Sequence, residues 1–173
     1  KIEDSKFVQL NYRPFDNRYT YFDNKVIWRW REKVMKHFVT GENVGLIVPK
    51  NTHGAPGGIV TRHIAAHKTF DAYNINNVFP LYLVETNGSL LNKVPNLNNV
   101  IWKKLIALAP SAKDAEAVFD YVYGTLYTPS YRKKYAIFLK DHFPRIPYPE
   151  DDVHFLAVAK EGAKLRALHL LES

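Results

Sequence analysis

The sequence predicts a mixed α+β fold, in which a small, mostly antiparallel β-sheet in the N-terminal half is followed by a helical C-terminal half. Apolar residues alternate with polar ones in short segments up to about residue 86, and they recur at helical spacing from about residue 99. Hydrophobic residues make up 46% of the 173 residues, which is enough for a buried core. We therefore expect one domain over residues 1–173, with a β-rich part over about 1–86 and a helical part over about 99–173.

Two short segments near the N-terminus predict a β-hairpin. Residues 7–12 alternate between apolar and polar, and residues 19–22 do so more loosely. Asp16 and Asn17 lie between them and are typical of a turn. Residues 26–28 are a further strand candidate.

A short helix is expected over residues 30–39. Trp30, Val34 and Phe38 recur at every fourth position, which would place them on one helical face. Gly41 is expected to end this helix.

Apolar segments in the middle of the chain predict a second group of strands. Residues 44–48 have the composition of a buried strand, residues 59–61 of its partner, and residues 77–84 of a further strand. Residues 51–58 and 87–99, which are rich in Gly and Asn, predict loops.

The second half predicts several helices. Residues 99–108 form the first, and Ser111 is expected to cap the next. Thr128 followed by Pro129 is typical of another helix start, and the acidic residues 150–152 are expected to cap a last helix that runs to the terminus. Five tyrosines are expected to pack mainly between these helices: Tyr121, Tyr123, Tyr127, Tyr131 and Tyr135.

The distribution of charge favours a nucleic-acid partner. The net charge is +7, and residues 1–68 contain 12 Lys and Arg against 6 Asp and Glu, so they carry +6 of it. A basic surface that neutralises phosphates releases condensed counterions, which is the main source of affinity for DNA or RNA.

The sequence contains no motif that predicts catalysis. A Walker-type glycine loop, an Asn-Pro-Pro-aromatic methyltransferase motif and a Gly-x-Ser-x-Gly elbow are all absent from it. His63 and His67 have the spacing of zinc helices, but Ile64 replaces the required Glu, so we expect no metal site. There is no Cys, no secretion signal and no apolar run long enough to cross a membrane, which is consistent with a cytoplasmic protein.

Several phrases together resemble one family, the C-terminal specificity domain of type ISP restriction–modification enzymes. The resemblance covers about residue 7 to the last residue. The phrases are YRPFDNR at 12–18, WRWREKVMKH at 28–37, NVGLIV at 43–48, FPLYL at 79–83, YVYGTLYTPSYRKKY at 121–135, FLKDHFPRIP at 138–147 and LHLLES at 168–173.

This resemblance implies that the chain is a monomeric fragment of a larger bacterial, cytoplasmic enzyme. The parent would contain a nuclease, an ATP-driven translocase and an N6-adenine methyltransferase, and would use S-adenosylmethionine, ATP and Mg²⁺. The fragment itself would need no cofactor and would not be an enzyme. Its implied role is to read a double-stranded DNA site and to contact the methyltransferase domain of the same chain, with no membrane partner.

With that role, the glycine-rich segment and its flanks are the expected base-reading elements. Asn can pair with adenine through two hydrogen bonds, Arg can do the same with guanine, and glycines allow the backbone to approach the duplex. The base-reading candidates are Lys50, Asn51, His53, Arg62, His63 and His67.

Other cations are expected to contact DNA phosphates. The candidates are Arg29, Arg31, Lys33, Lys36, Lys68, Arg132 and Lys133. Arg13 and Arg18 flank Asp16, and an Arg–Asp pair would lock the turn, so a structural role is favoured for Arg13.

Two other classes of function stay open at this point. The domain could be an interaction module that docks the methyltransferase and translocase without reading bases. It could also bind RNA, although no RNA-recognition or KH motif supports this.

Overall fold

Among the residues that the structure describes, eight strands form three small sheets within residues 7–95. The computed structural model describes residues 2–39, 42–51, 57–70, 73–87 and 90–172. The strands are β1 Phe7–Arg13, β2 Asp16–Tyr21, β3 Gly45–Pro49, β4 Ile59–Thr61, β5 Ile64–Ala65, β6 Asn76–Pro80, β7 Tyr82–Asn87 and β8 Leu90–Pro95. The sheets have the strand orders β2-β1-β5, β4-β3-β6 and β7-β8. The predicted α+β class is therefore confirmed, with three sheets rather than one.

The first sheet contains the predicted hairpin. Strands β1 and β2 pair antiparallel from Phe7 opposite Tyr21 to Arg13 opposite Asp16, and β1 also pairs in parallel with the short β5. The turn falls at Pro14 and Phe15, not at Asp16-Asn17 as predicted. Phe15 takes a positive φ of 64°, which reverses the chain two residues earlier.

The second sheet is the predicted pairing of buried strands. Strand β3 is buried along its whole length and pairs antiparallel with β4 on one side and β6 on the other. The single strand predicted over residues 77–84 is wrong, because Leu81 interrupts it. The Leu81 amide donates to the Val44 carbonyl at 2.8 Å, outside the ladder, so β6 ends at Pro80 and β7 begins at Tyr82.

Three local predictions differ from the structure. The loop predicted over 87–99 contains β8, which pairs with β7 through six residue pairs. The strand predicted over 26–28 is a turn, because the amides of Val26 and Ile27 donate back to the Asp23 carbonyl. The helix predicted over 30–39 shortens to α1 Glu32–Met35 and a 3-10 helix, Lys36–Phe38, since Arg31 lies outside helical geometry. Gly41 lies outside the described residues.

The C-terminal half contains five helices within the described residues. They are α2 Asn99–Leu108, α3 Ala115–Tyr127, α4 Pro129–Lys134, α5 Phe138–Asp141 and α6 Asp152–Leu170. Asp114 caps α3 through the Glu116 amide at 3.0 Å, so the prediction that Ser111 caps it is wrong. Ser111 lies in a 3-10 helix and donates to Asp152 instead, while Asp151 caps α6. No helix among these residues is long and apolar enough to cross a membrane.

A shared core joins the two halves. Val44, Leu46 and Val48 of the second sheet pack with Phe119 and Tyr123 of α3, and Tyr123 is fully buried. The prediction that the tyrosines pack between helices is confirmed for Tyr121, Tyr123 and Tyr131, which are buried. The second sheet is therefore held against the helical half, whereas the first sheet packs in a separate cluster with Phe22, Met35 and Phe38.

Candidate nucleic-acid interface

The segment Trp28-Arg29-Trp30-Arg31, here called the WRWR turn, has an uncommon backbone. Arg29 and Arg31 have φ values of 55° and 49°, in the left-handed region that side chains with a Cβ disfavour. Such a conformation costs on the order of 1–3 kcal/mol per residue and persists only where the surroundings hold it. The Trp30 ring packs on Phe22 at 4.8 Å between centroids, and the Arg31 carbonyl accepts hydrogen bonds from the amides of Val34 and Met35.

A groove separates the WRWR turn from the first sheet. Its volume is about 340 Å³, and we call it the tryptophan groove. Its interior is mostly apolar, whereas Arg29, Arg31 and His67 also line it and supply positive charge. Apolar lining residues include Leu10, Phe22, Trp28, Trp30, Ile64 and Val78.

Arg29, Arg31, His67 and Lys68 form what we call the cationic cluster. All four are exposed, and within the described part of the chain none of them forms an ion pair. Desolvation lowers the pKa of the His67 imidazole, and the charges of Arg31, Arg29 and Lys68 lower it further. Uncompensated positive charge of this kind attracts phosphates.

Lys33 and Lys36 extend this positive charge along the chain. Lys33 lies in α1 and Lys36 begins the 3-10 helix, and both side chains are exposed. Of the seven predicted phosphate contacts, Arg29, Arg31 and Lys68 thus belong to the cationic cluster, and Lys33 and Lys36 are exposed on the helical turns that follow Arg31.

Buried hydrogen bonds support the backbone under His67 and Lys68. Thr69 is fully buried, and its hydroxyl donates to the Asn11 carbonyl at 2.8 Å. The Asn76 amide donates to the His67 carbonyl at 3.1 Å, and the Arg13 guanidinium donates to the Lys68 carbonyl at 2.8 Å. The structural role predicted for Arg13 is thus observed, although its partners are carbonyls. Arg18 makes the predicted pair with Asp16.

Lys50 and Asn51 lie at the end of β3, on the same side as the cluster. Both are exposed, and the preceding residue, Pro49, pairs with Asn76, whose amide contacts the His67 carbonyl. The Pro49–Asn76 pair therefore links the strand that precedes these two base-reading candidates to His67 of the cluster. His53 lies outside the described residues.

Arg62 and His63 occupy a different place. Arg62 forms a two-pronged ion pair with Glu172, beyond the end of α6. His63 is half-buried, and burial lowers its pKa, as does the Arg62 charge. Both line a small pocket of about 160 Å³ that also contains Asn11. Since Leu10 lines the tryptophan groove and neighbouring strand residues point to opposite faces, this pocket lies across the first sheet from the cluster.

Arg132 and Lys133 lie outside the cationic cluster and differ from each other in their contacts. The Arg132 side chain donates to the Leu126 carbonyl at 2.7 Å and lies over the Tyr127 ring at 4.3 Å, so it is committed to internal packing. Lys133 is exposed on α4. This packing argues against Arg132 as a phosphate contact, whereas the phosphate contact of Lys133 stays a prediction.

The His63–His67 spacing does not form a helical pair. The short strand β5 lies between the two residues, so the spacing does not place them on one helical face. Among the described residues, no group of three or more His, Asp or Glu is arranged to hold a metal ion.

Sequence reasoning missed the tryptophans as part of the site. The charge pattern does not single out Trp28 and Trp30, yet they form one wall of the groove. The signal is the alternation of two Trp with two Arg, a combination of aromatic and guanidinium groups that also serves in stacking on nucleobases.

Comparison with known proteins identifies the family. The family model for the type ISP C-terminal specificity domain matches residues 1–173. No curated protein matches the chain. Similar solved structures include a DrdV–DNA complex determined by cryo-electron microscopy, with 27% identity and a TM-score of 0.80 over 98% of this chain and 16% of that one.

Two further structures share the fold at lower identity. The ATP-dependent type ISP restriction–modification enzyme LlaBIII bound to DNA matches with 22% identity and a TM-score of 0.81, over 99% of this chain and 11% of that one. A nuclease-deletion mutant of the type ISP enzyme LlaGI with a DNA substrate mimic matches with 21% identity and a TM-score of 0.70, over 98% of this chain and 14% of that one. This chain thus spans only 11 to 16% of the length of these proteins. By the family match over its whole length, the chain belongs to the type ISP C-terminal specificity domains.

Proposed function

We propose that this domain recognises a specific double-stranded DNA sequence and that the cationic cluster is its anchor on the duplex. The observation that carries the proposal is the gathering of Arg29, Arg31 and His67 at one groove, with Lys68 next to His67. All four are exposed and form no ion pair in the described part of the chain. Family membership supports it, as do the matched structures, which are complexes with DNA or with a DNA substrate mimic.

The residues divide by role in this proposal. Arg29, Arg31, Lys33, Lys36 and Lys68 contact phosphates, which fixes the position of the duplex without reading its sequence. Lys50, Asn51 and His67 read bases, because His67 belongs to the cluster, and Lys50 and Asn51 follow the strand end that pairs with Asn76 next to it. Their side chains can donate to or accept from base edges in the major groove. Arg62, His63 and Arg132, which are held by internal contacts or lie on the opposite face, support the fold.

The chemistry belongs to other parts of a longer chain. As the specificity domain, this unit directs N6-adenine methylation and translocation-dependent cleavage by a methyltransferase, a translocase and a nuclease, with S-adenosylmethionine, ATP and Mg²⁺ bound there. The domain itself is not an enzyme and works as a monomer in contact with the methyltransferase domain, in the bacterial cytoplasm.

Base reading is tested with the full-length protein. Modified-base sequencing of host DNA gives the methylated motif, and fluorescence anisotropy then compares a duplex that carries this motif with a scrambled one. Asn51→Ala and His67→Ala are expected to reduce the preference between the two duplexes, with roughly 1–3 kcal/mol of discrimination lost per good base contact. Lys33→Gln and Lys36→Gln are expected to lower the affinity for both duplexes alike.

A matched control comes from another helix. Lys103 and Lys104 are exposed on α2, so their change to Gln removes the same charge elsewhere and is expected to leave binding unchanged. Equal affinity of the wild-type protein for the two duplexes would refute sequence recognition by this domain.

A docking role is the second candidate, and an exposed apolar face favours it. Val100 and Ile101 on α2 are 65% and 55% exposed, and Val153 at the start of α6 is 76% exposed. Apolar residues exposed in this way often mark an interaction surface. An association with the methyltransferase domain that is insensitive to salt and independent of DNA, combined with no effect of the cluster variants on DNA affinity, would favour docking alone.

A further inference from the structure

We propose that the tryptophan groove receives one unstacked base of the bound DNA, which stacks on Trp28 while the neighbouring phosphates contact Arg29 and Arg31. This inference rests on the proposed function and deepens it, because it assigns a ligand to a groove that phosphate anchoring alone does not use.

Trp28 is the most exposed of the three tryptophans. The half-buried Trp30 packs against the Phe22 ring at an interplanar angle of 43°, and the half-buried Trp102 donates its indole N–H to the Ala112 carbonyl at 2.7 Å. Trp28 is 81% exposed, and the Arg29 guanidinium lies over its ring at 4.3 Å. A large aromatic face left in water beside a cation is suited to stacking on a base.

The backbone holds this ring in position. Residues before the WRWR turn are fixed by the amides of Val26 and Ile27, which donate to the Asp23 carbonyl. Residues after it are fixed by the amides of Val34 and Met35, which donate to the Arg31 carbonyl. Arg29 and Arg31 both lie in the left-handed region between these hydrogen bonds, and strained backbone of this kind concentrates at ligand contacts.

The chemistry of the groove fits a nucleotide. The interior is apolar and aromatic, which suits the two faces of a base, and the cations that line it suit the phosphates on either side. Its volume of about 340 Å³ lies at the lower end of the range for small-molecule sites, roughly 300–1,000 Å³, and suits one planar ring rather than a helix or a strand.

The position of the groove favours DNA over a peptide. Arg29, Arg31 and His67 belong both to the groove lining and to the cationic cluster. A duplex anchored on the cluster by its phosphates therefore covers the groove, whereas a peptide with apolar and acidic residues would compete with the duplex for the same cations.

The test uses the full-length protein and a duplex enriched from a random DNA library by binding to it. Thymines in this duplex are replaced one at a time by 5-iodouracil, which crosslinks to a stacked aromatic ring on illumination, and the crosslinked peptide is identified by mass spectrometry. We expect a crosslink to Trp28 at one position. Trp28→Ala is expected to lower affinity roughly 5- to 150-fold, the range for loss of one base–aromatic stack.

Two variants separate stacking from general damage. Trp28→Phe keeps an aromatic ring and is expected to recover most of the affinity. Tyr19→Ala removes another aromatic ring, 74% exposed on β2, and is expected to bind as the wild type does.

The outcomes distinguish this inference from the proposed function. Wild-type DNA binding with no crosslink to Trp28, and equal affinity of the Trp28→Ala protein, would overturn the stacking role and leave DNA recognition intact. A loss of affinity in Trp28→Ala that Trp28→Phe fails to restore would also overturn it. Absence of DNA binding by the wild-type protein would overturn both.

Discussion

Arg62 and Glu172 form a two-pronged ion pair across 110 residues of sequence, with Arg62 Nη2 at 3.1 Å from Glu172 Oε2. Arg62 follows strand β4, and Glu172 follows helix α6, so the pair ties the sheets to the end of the chain's last helix. It also occupies the guanidinium that the sequence favoured as a guanine reader.

The Arg62–Glu172 pair is expected to support structure rather than recognition. Arg62→Ala and Glu172→Gln should each lower the free energy of unfolding by about 1 kcal/mol or less, because both side chains are more than a third exposed. Urea denaturation of the two single variants and the double variant measures their coupling. Modified-base sequencing of DNA methylated by the Arg62→Ala protein should give the wild-type motif, and a changed motif would show that Arg62 reads a base.

The crossing of α3 and α6 depends on glycine at position 162. A Cβ at Gly162 would lie 1.9 Å from the Asp120 carbonyl oxygen and 3.0 Å from the Gly124 amide nitrogen, so the two helix backbones would have to separate. Gly162→Ala should therefore destabilise the protein by about 3 kcal/mol, at the upper end for overpacking. Lys160→Ala, at an exposed position of the same helix, should change the free energy of unfolding by less than ~0.5 kcal/mol. Equal stability of the two variants would contradict the close crossing.

Asn43 joins the second and third sheets by hydrogen bonds. It is 1% exposed, donates to the carbonyls of His37 and Tyr82, and accepts from the amides of Tyr82 and Val44. Asn43→Ala leaves several buried backbone groups unpaired and should lower the free energy of unfolding by roughly 3 kcal/mol. Chemical denaturation measures this change. Asn43→Asp should also destabilise, because a carboxylate cannot donate to the two carbonyls. Asn24→Ala, the same substitution at an exposed position, is the control.

The stability of the domain should fall as the pH is lowered below about 6.5. Burial lowers the pKa of His169, which hydrogen-bonds to the Tyr123 hydroxyl, and burial also lowers the pKa of His63. Because these groups bind protons more readily in the unfolded chain, the free energy of unfolding decreases as pH falls through the unfolded pKa towards the folded one. Denaturation curves at several pH values measure this slope. His169→Gln should flatten it, and an unchanged slope would exclude His169 as a contributor.

Long periodic segments were predictable because their own side chains determine them. The buried strand β3, its partner β4 and helix α2 follow from apolar runs and helical spacing that need little tertiary context. Strand β8 was not predictable, because the segment 87–99 around it is rich in Asn, which is typical of loops, and its order comes from pairing with β7. The WRWR turn was likewise hidden, since neither Arg29 nor Arg31 carries a local signal for positive φ.

The candidate site shows the same division. The excess of positive charge in residues 1–68 directed attention to Arg29, Arg31 and Lys68, which the structure leaves exposed, because charge composition is a local property. It could not separate Arg62, whose acidic partner is 110 residues away, nor Arg132, which packs over Tyr127. Whether a cation is free for a ligand depends on contacts that only the fold creates.

The salt dependence of DNA affinity tests the cationic cluster most directly. For about five phosphate contacts, the logarithm of the association constant of the full-length protein should fall against the logarithm of salt concentration with a slope of about −4 to −5. Changing Arg29, Arg31 and Lys68 together to Gln should make this slope shallower by about 3, while the Lys103/Lys104 control keeps it. An unchanged slope in the triple variant would contradict the account, because the duplex would then be anchored elsewhere.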